Sequence, residues 1–436
     1  MKLSTAPYKG ARDFYPDDKR KQNYMFSVIR AVVKSYGYEE YDAPILEALD
    51  LYKAKSGQEI VNEQTYSFID RGGREVTIRP EMTPSVSRMV AARRQELAYP
   101  LRWFSIPNLW RYERPQRGRL REHWQLNVDI FGVANTNAEL ELIFIADDIY
   151  KAFGASSDMY QIKLNHRKLS DLIFSDYLKL SPDQSYAMAK LIDHKAKLEP
   201  LRFIEQLEDI LSPEQKQNSI AEKLLNLLDI TDINDLPAEL LKTAPAQELL
   251  EVIKSLNEHG IGNAIFDPTL MRGFDYYSGV VFEVFDTHPD NNRSMMGGGR
   301  YDGLVSLFGV EPVPTAGFGL GDATLANFLE LHKLLPTINT DTQIYIAILP
   351  DTLKSGLKIA RRLRAQGINT AIDISRRKLG DQLNVARKKQ LKYVLIVGPD
   401  EIKNDLYTLR DMEDSNEAKL SLEQVISRLS KPTKAK

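Results

Sequence analysis

The stretch WRYERPQRGRLREH at residues 110–123 places five arginines, two glutamates and a histidine between apolar segments. Arginine offers a planar fork of donors that matches phosphate oxygens two at a time, so Arg111, Arg119 and Arg121 could clamp a polyphosphate. Phosphoryl chemistry asks a protein for positive charge where negative charge gathers, and for little covalent help. Arg111 and Glu113 alternate with Trp110 and Tyr112 in strand-like sequence. Two charges on one face of a strand are costly unless that face lines a polar cleft. A solvated hairpin tip is the competing reading, and the loop alone leaves both open.

Other stretches add chemistry. No GxxxxGK[ST] occurs, so a P-loop is excluded as the nucleotide site, and GGGRYDG lacks the dinucleotide spacing. Its glycines would let backbone approach a ligand, with Arg300 as a further cation oriented by Asp302. GFGLG allows a second close approach or simple tight packing. In RGFDYYSG, Arg272, Asp275, Tyr276 and Tyr277 suit a pocket for a small molecule with a carboxylate, or a structural tyrosine pair beside a surface arginine. Glu81, Thr83, Gln125 and Asp129 are polar groups inside apolar patterns and could hold an ammonium and a polar side chain. The six histidines form no ligand-spaced set, so no protein-built metal site is assigned; His123 and His166 read as hydrogen-bonding residues.

Those residues need a frame. Met25, Ile29, Val32 and Val33 recur with helical spacing over 20–36. TYSFIDRGGREVTIRPE reads as two strands joined at Gly72-Gly73. TPSVSRMVAARRQEL reads as a helix with Thr83 as N-cap and Pro84 at its first position. LRWFSIPNLWRYE and HWQLNVDIFG are strand-like, and Thr136 or Asn137 starts a helix that ends at Gly154. From 168 to 252, turns such as SPDQ and SPEQ punctuate helical periods, the pattern of an insertion. Strand signals return with FDYYSGVVFEVFD. Beyond KLLPTINTDT, short apolar strands alternate with basic helices through YVLIVG, which predicts a small α/β domain with a largely parallel sheet. Its Arg361, Arg362, Arg364, Arg376, Arg377, Lys378, Arg387, Lys388 and Lys389 are either solvated faces or a surface for a phosphate backbone. The domains expected are a core at 1–332 with the insertion at 168–252, a linker at 333–342, the α/β domain at 343–427 and a basic tail at 428–436.

The 436 residues, 43% hydrophobic and 27% charged, are enough for more than one domain. A net charge of -2 gives no global pull towards nucleic acid, and the absence of cysteine excludes disulfides. The opening residues lack the apolar stretch of a secretory signal, and no apolar run is long enough to span a membrane.

Five segments, in order, carry a family resemblance. GARDFYPDD and YGYEEYDAPILE resemble the opening segment and motif 1 of the histidyl-tRNA synthetase family, within the class II aminoacyl-tRNA synthetases. WRYERPQRGRLREHWQLNVDIFG resembles its motif 2, LMRGFDYYSGVVFE its histidine-specific segment, and GGGRYDGL the lead into motif 3. The resemblance covers nearly the whole chain. It implies an α+β fold: a six-stranded-class antiparallel catalytic sheet flanked by helices, a helical insertion, and a C-terminal α/β anticodon-binding domain. It also implies an ATP-dependent histidine–tRNA ligase that uses Mg²⁺ and tRNA(His). Such a protein is a cytoplasmic homodimer joined through motif 1, with neither DNA nor membrane as partner.

On that resemblance, Arg111 holds the ATP α-phosphate, Glu113 meets the adenine side, and Arg119 and Arg121 lie near the polyphosphate. Gln116 and Arg117 approach the tRNA acceptor end. Glu81, Thr83, Gln125, Asp129, Tyr276 and Tyr277 form the histidine pocket, and Arg272 is the catalytic arginine beside the histidine carboxylate. Two departures stand out. Family motif 3 ends in Gly-hydrophobic-Glu-Arg, whereas GLGDATL puts Ala323 and Thr324 at the last two places, as in a variant of some bacterial and organellar synthetases. Arg300 or Arg121 is then expected to supply the missing charge. Met82 and Asn127 stand where many members have glycine and reshape the pocket edge. The alternative function is a paralogue that regulates the first enzyme of histidine biosynthesis; such paralogues lose the anticodon domain and erode motif 2, and this chain keeps both.

Overall fold

The structure is a computed structural model that describes residues 3–53, 64–271, 277–291 and 293–430. Arg272, Asp275 and Tyr276 lie outside the described residues, as do 431–436 of the tail. The chain divides near residue 335 into two compact units.

The first unit is built on a nine-stranded sheet. Its order is β1 (Glu39–Glu40), β5 (Leu101–Ser105), β7 (Glu122–Phe131), β12 (Thr315–Gly321), β11 (Ser294–Arg300), β10 (Val280–Asp286), β8 (Tyr160–His166) and β9 (Ala264–Phe266). β6 (Asn108–Trp110) pairs with the start of β7. From β5 to β8 all neighbours are antiparallel. Parallel pairs β1–β5 and β8–β9 close both ends, so the sheet is wider and more mixed than six antiparallel strands. A separate three-stranded sheet, in the order β2 (Leu46–Ala48), β4 (Glu75–Ile78), β3 (Tyr66–Ile69), contains the hairpin expected around Gly72-Gly73. Asp70 ties that turn by accepting the Gly72 and Arg74 backbone N–H groups at 2.8 and 2.9 Å.

Strand period 2 divides β7 between two environments. Leu126, Val128 and Ile130 join Ala316, Phe318 and Leu320 of β12 and Phe282 and Val284 of β10 in the main core. α1 (Pro16–Ser35) adds Met25, Phe26, Ile29 and Val33, with Val32 only half-buried. α2 (Asp50–Lys53) and α3 (Thr83–Ala92) follow, then α4 (Asn137–Ala152), which ends before the left-handed Gly154. The insertion holds α5 (Arg167–Leu172), α6 (Pro182–Asp193), α7 (Pro200–Ile210), α8 (Pro213–Gln217), α9 (Ile220–Leu228), α10 (Ala238–Leu241) and α11 (Ala244–Glu258). SPDQ and SPEQ are helix starts rather than mere turns. In each, the serine accepts from the glutamine backbone N–H and the glutamine side chain answers. α12 (Asp322–Leu331) follows β12 and buries Leu325, Phe328 and Leu329 in the main core.

The second unit has a five-stranded sheet in the order β14 (Thr370–Ile372), β13 (Ile344–Ile348), β15 (Tyr393–Val397), β16 (Tyr407–Asp411), β17 (Glu417–Leu420). Its first three strands are parallel, as the alternation predicts. An antiparallel hairpin, β16–β17, completes it. Half-exposed strands such as EAKL lack the apolar run that announces a buried strand. Helices α13 (Leu353–Ala365), α14 (Leu379–Lys388), α15 (Pro399–Asn404) and α16 (Leu422–Leu429) complete the unit. All nine basic residues singled out in this module are exposed.

Candidate active site

The basic loop is a hairpin that leaves the sheet edge. β6 stops at Trp110, so Arg111 and Glu113 are not alternating strand positions as the pattern suggested; partners outside the sheet take over there. Arg111 N–H donates to the Arg121 carbonyl at 2.8 Å, and its Nε donates to the Pro80 carbonyl at 2.8 Å, in the turn that leads into α3. Arg79 pins that turn from beneath, donating to Asp42 at 2.8 Å and to the Asn108 carbonyl at 3.1 Å. The terminal amino groups of Arg111 make no hydrogen bond among the described residues.

At the tip, Gln116 and Arg119 exchange backbone hydrogen bonds at 2.9 Å around Arg117 and Gly118, whose φ of +72° suits glycine. Gln116 and Arg117 are exposed. Glu113, itself buried, takes Arg119 in a bidentate ion pair, with Nη2 to Oε1 at 2.7 Å. Arg121 stacks 4.0 Å above the Tyr112 ring, and its Nη1 donates to the Tyr8 hydroxyl at 3.0 Å. Among these hairpin arginines, Arg119 and Arg121 are engaged by protein groups.

Further along β7, Gln125, Asn127 and Asp129 occupy the face opposite the core. Register sets them against Gly321, Gly319 and Gly317 of β12. A methyl on Gly317 would strike Asp129 and Tyr301, and one on Gly319 would strike the Gln125 amide. Those glycines therefore clear a floor on which polar side chains lie flat. Gln125 Nε2 donates to Asn127 Oδ1 at 3.1 Å, and Asn127 Nδ2 donates to the Gln125 carbonyl at 3.0 Å. Tyr301 donates its hydroxyl to Asp129, and the Tyr277 ring lies 6.4 Å from that of Tyr301. The second carboxylate oxygen of Asp129 is buried without a partner. Burial pushes the Asp129 carboxyl up to about 7, against the lowering effect of the Tyr301 and Tyr41 hydroxyls. His123, on the same side, is pulled down to about 3 by burial and then by the charges of Arg111 and Arg12, so it stays neutral.

Glu81 is buried just before α3, and Thr83 is half-buried. Thr83 is not the expected N-cap: the helix already includes it, Met82 holds the cap position without a side-chain bond, and Pro84 follows. Met82 is fully buried.

Arg300 was expected to face the nucleotide, and in this structure it is turned inward. Rather than offering charge to a ligand, it is spent inside the protein. Its Nε and Nη2 grip Glu139 of α4 at 2.7 Å each, Nη2 also reaches the Asn135 carbonyl at 2.7 Å, and Nη1 donates to Val133 O and Asp302 at 2.9 and 3.3 Å. Arg300 is 7% exposed and Glu139 fully buried, so freeing it would strand a buried charge. Sequence reading also passed over Tyr301 and Arg12. The first directly follows the GGGR motif; nothing local marks the second.

A cavity of about 330 Å³ lies elsewhere, among Asp50, Leu51, Pro84, Ser87, Arg88, Leu304, Leu307 and Phe308. It contains none of the polar-face residues.

Comparison with known proteins bears on the family and the fold. The family profile described as histidyl-tRNA synthetase matches residues 10–325, and one described as an anticodon binding domain matches 343–432. The chain is 47% identical over 432 residues to a histidine–tRNA ligase of Leptospira biflexa, covering 98% of each. It is 36% identical over 427 residues to that of Thermoplasma volcanium, again covering 98% of each. A crystal structure of histidyl-tRNA synthetase from Nostoc sp. PCC 7120 superposes with a TM-score of 0.81 at 24% identity, over 98% of this chain and all of the other, a likeness of fold. With a matching profile over most of its length and relatives aligned end to end, the chain belongs to the histidyl-tRNA synthetase family.

Proposed function

We propose that this ATP-dependent histidine–tRNA ligase binds histidine on the polar face of its central sheet and ATP against the motif 2 hairpin. One observation carries the reading. Odd positions of β7 run in a row from His123, which feels Arg111, through Gln125 and Asn127 to the half-satisfied Asp129. A ligand with a phosphate-linked end and a cationic end suits that row.

Histidine's carboxylate attacks the α-phosphorus of ATP; the P–O bond to pyrophosphate breaks and histidyl-adenylate forms. Arg111 stabilises the charge that gathers on the α-phosphate. Arg272 is proposed to share that work beside the carboxylate. Glu81, Thr83 and Gln125 are proposed to hold the α-ammonium, with Asp129, Tyr276 and Tyr277 around the imidazole. The terminal adenosine hydroxyl of tRNA(His) then attacks the anhydride and AMP leaves. Mg²⁺ enters with ATP as part of the substrate; no group of three or more His, Asp or Glu is set to hold a metal among the described residues.

Glu113 and Arg119 hold one another in this structure, so their proposed contacts with ATP require the pair to open. Gln116 and Arg117 at the exposed tip are proposed to meet the acceptor end. Exposed Ile45, Leu46, Phe68 and Ile69 near and on the three-stranded sheet support a homodimer through motif 1. No helix among the described residues is long and apolar enough to cross a membrane.

Histidine-dependent exchange of pyrophosphate into ATP, run beside charging of tRNA(His), tests the reading. Both activities are expected. Exchange that ignores histidine would sink it, and activity in neither assay would favour the regulatory paralogue.

A further inference from the structure

Residues 8–14 lie along the motif 2 hairpin. The Gly10 carbonyl accepts from the backbone N–H groups of Arg121 and Glu122 at 2.9 and 3.1 Å. From this strap Arg12 reaches α12, with Nη2 2.7 Å from Asp322 Oδ2. Its guanidinium lies 4.9 Å from the Phe14 ring centre and 6.0 Å from that of Trp124. Asp322 is 4% exposed, and its other oxygen accepts the Trp124 backbone N–H at 3.0 Å. Arg12 Nε is enclosed but has no partner.

The nearby cations are held by protein groups in this structure: Arg300 by Glu139 and carbonyls, Arg119 by Glu113 until that pair opens, and Arg121 by Tyr8 and the Glu113 carbonyl. The first turn of α12, Asp322-Ala323-Thr324-Leu325, carries no positive charge of its own. Yet the hairpin tip closes on that turn: a methyl on Gly118 would sit 3.4 Å from Thr324 Cγ2. The charges of Arg111 and Arg12 both bear on His123, which lies between the hairpin and the strap, and Arg12 is itself paired with Asp322. An arginine fixed by a buried carboxylate beside the motif 2 hairpin, with 27% of its side-chain surface still exposed, is preorganised for an oxyanion.

We propose that Arg12, positioned by Asp322, is a ligand for the terminal phosphates of ATP and supplies the charge that α12 lacks. This rests on the cleft being the ATP site.

The test compares ATP with AMP. Equilibrium binding of each, and histidine-dependent pyrophosphate exchange, are measured for the wild type, Arg12→Met, Arg12→Lys and Asp322→Asn. Arg12→Met should raise KM for ATP by about tenfold or more, leave KM for histidine nearly unchanged, and weaken ATP binding while sparing AMP. Arg12→Lys should recover part of the ATP preference, and Asp322→Asn should fall between. Equal losses for ATP and AMP, or an unchanged KM for ATP, overturn the assignment and leave Arg12 a fastener of the strap. Should Arg12→Met fail to fold, Arg12→Lys and Asp322→Asn carry the same comparison. Wild-type protein that binds ATP but exchanges no pyrophosphate would defeat the ligase reading, while the ATP-to-AMP ratio still judges Arg12.

Discussion

Gly298 and Gly319 sit on neighbouring strands of one sheet, yet a methyl on each would meet different obstacles. At Gly298 it would run into the Gly317 carbonyl and the backbone and Cβ of Phe318, beneath the edge-on Phe282–Phe318 pair. At Gly319 it would meet the end of the Gln125 side chain. The first obstacle is rigid and belongs to the core; the second is a movable amide on the polar face. At these two positions, then, one face of the sheet uses its glycine for packing and the other for keeping a polar side chain flat. Stability should reside in the first and substrate recognition in the second.

Substitutions can break that division or sharpen it. Arg300→Met should have the largest effect, about 3–5 kcal/mol of stability in denaturant titrations, because Glu139 is left charged and buried. Any folded fraction should keep its preference for ATP over AMP; a stable variant with a raised KM for ATP would return Arg300 to the site. Asp129→Asn should weaken histidine binding by roughly 30-fold or more, measured by calorimetry. Its effect on the empty protein runs the other way. A carboxyl raised from 3.8 to about 7 contributes stability in full below 3.8 and loses it as pH rises through about 7. Relative to wild type, the variant should gain stability as pH rises from about 4 to about 7, by a few kcal/mol at most. A parallel melting profile would refute this. Gly298→Ala should cost about 1–3 kcal/mol by overpacking. Gly319→Ala should cost under about 1 kcal/mol, since Gln125 can swing away, while raising KM for histidine. If both substitutions damage folding equally, the contrast between the faces fails.

Gln125 and Asp129 were legible in the sequence because polar residues interrupt an apolar alternation, and the β3–β4 hairpin because Gly-Gly is a local turn signal. The helical insertion and the C-terminal α/β domain follow from periodicity and order, whereas the α+β frame of the core was what the family resemblance implied. Arg300 was misread because its partner, Glu139, is 161 residues away, and no local pattern announces a pairing at that distance. The end of β6 at Trp110 was hidden for a similar reason: Arg111 and Arg121 pair with each other, and the loop between them is irregular. β1 and β9 hold only two and three residues and exist through their neighbours, which is why the sheet came out wider than expected. Glycine in GGGR and GFGLG signalled closeness, but register alone decides whether the close neighbour is a ligand, a phenylalanine or an amide.

The lone oxygen of Asp129 also has a calorimetric consequence. With its carboxyl raised to about 7 by burial, the proposed histidine pocket is partly protonated near neutral pH, and a cationic substrate would expel that proton. Histidine binding should then release acid, and the apparent binding enthalpy should vary linearly with the ionisation heat of the buffer. Loading the amino acid would thus leave a trace in the solvent that an indicator dye could follow before any phosphate bond is broken.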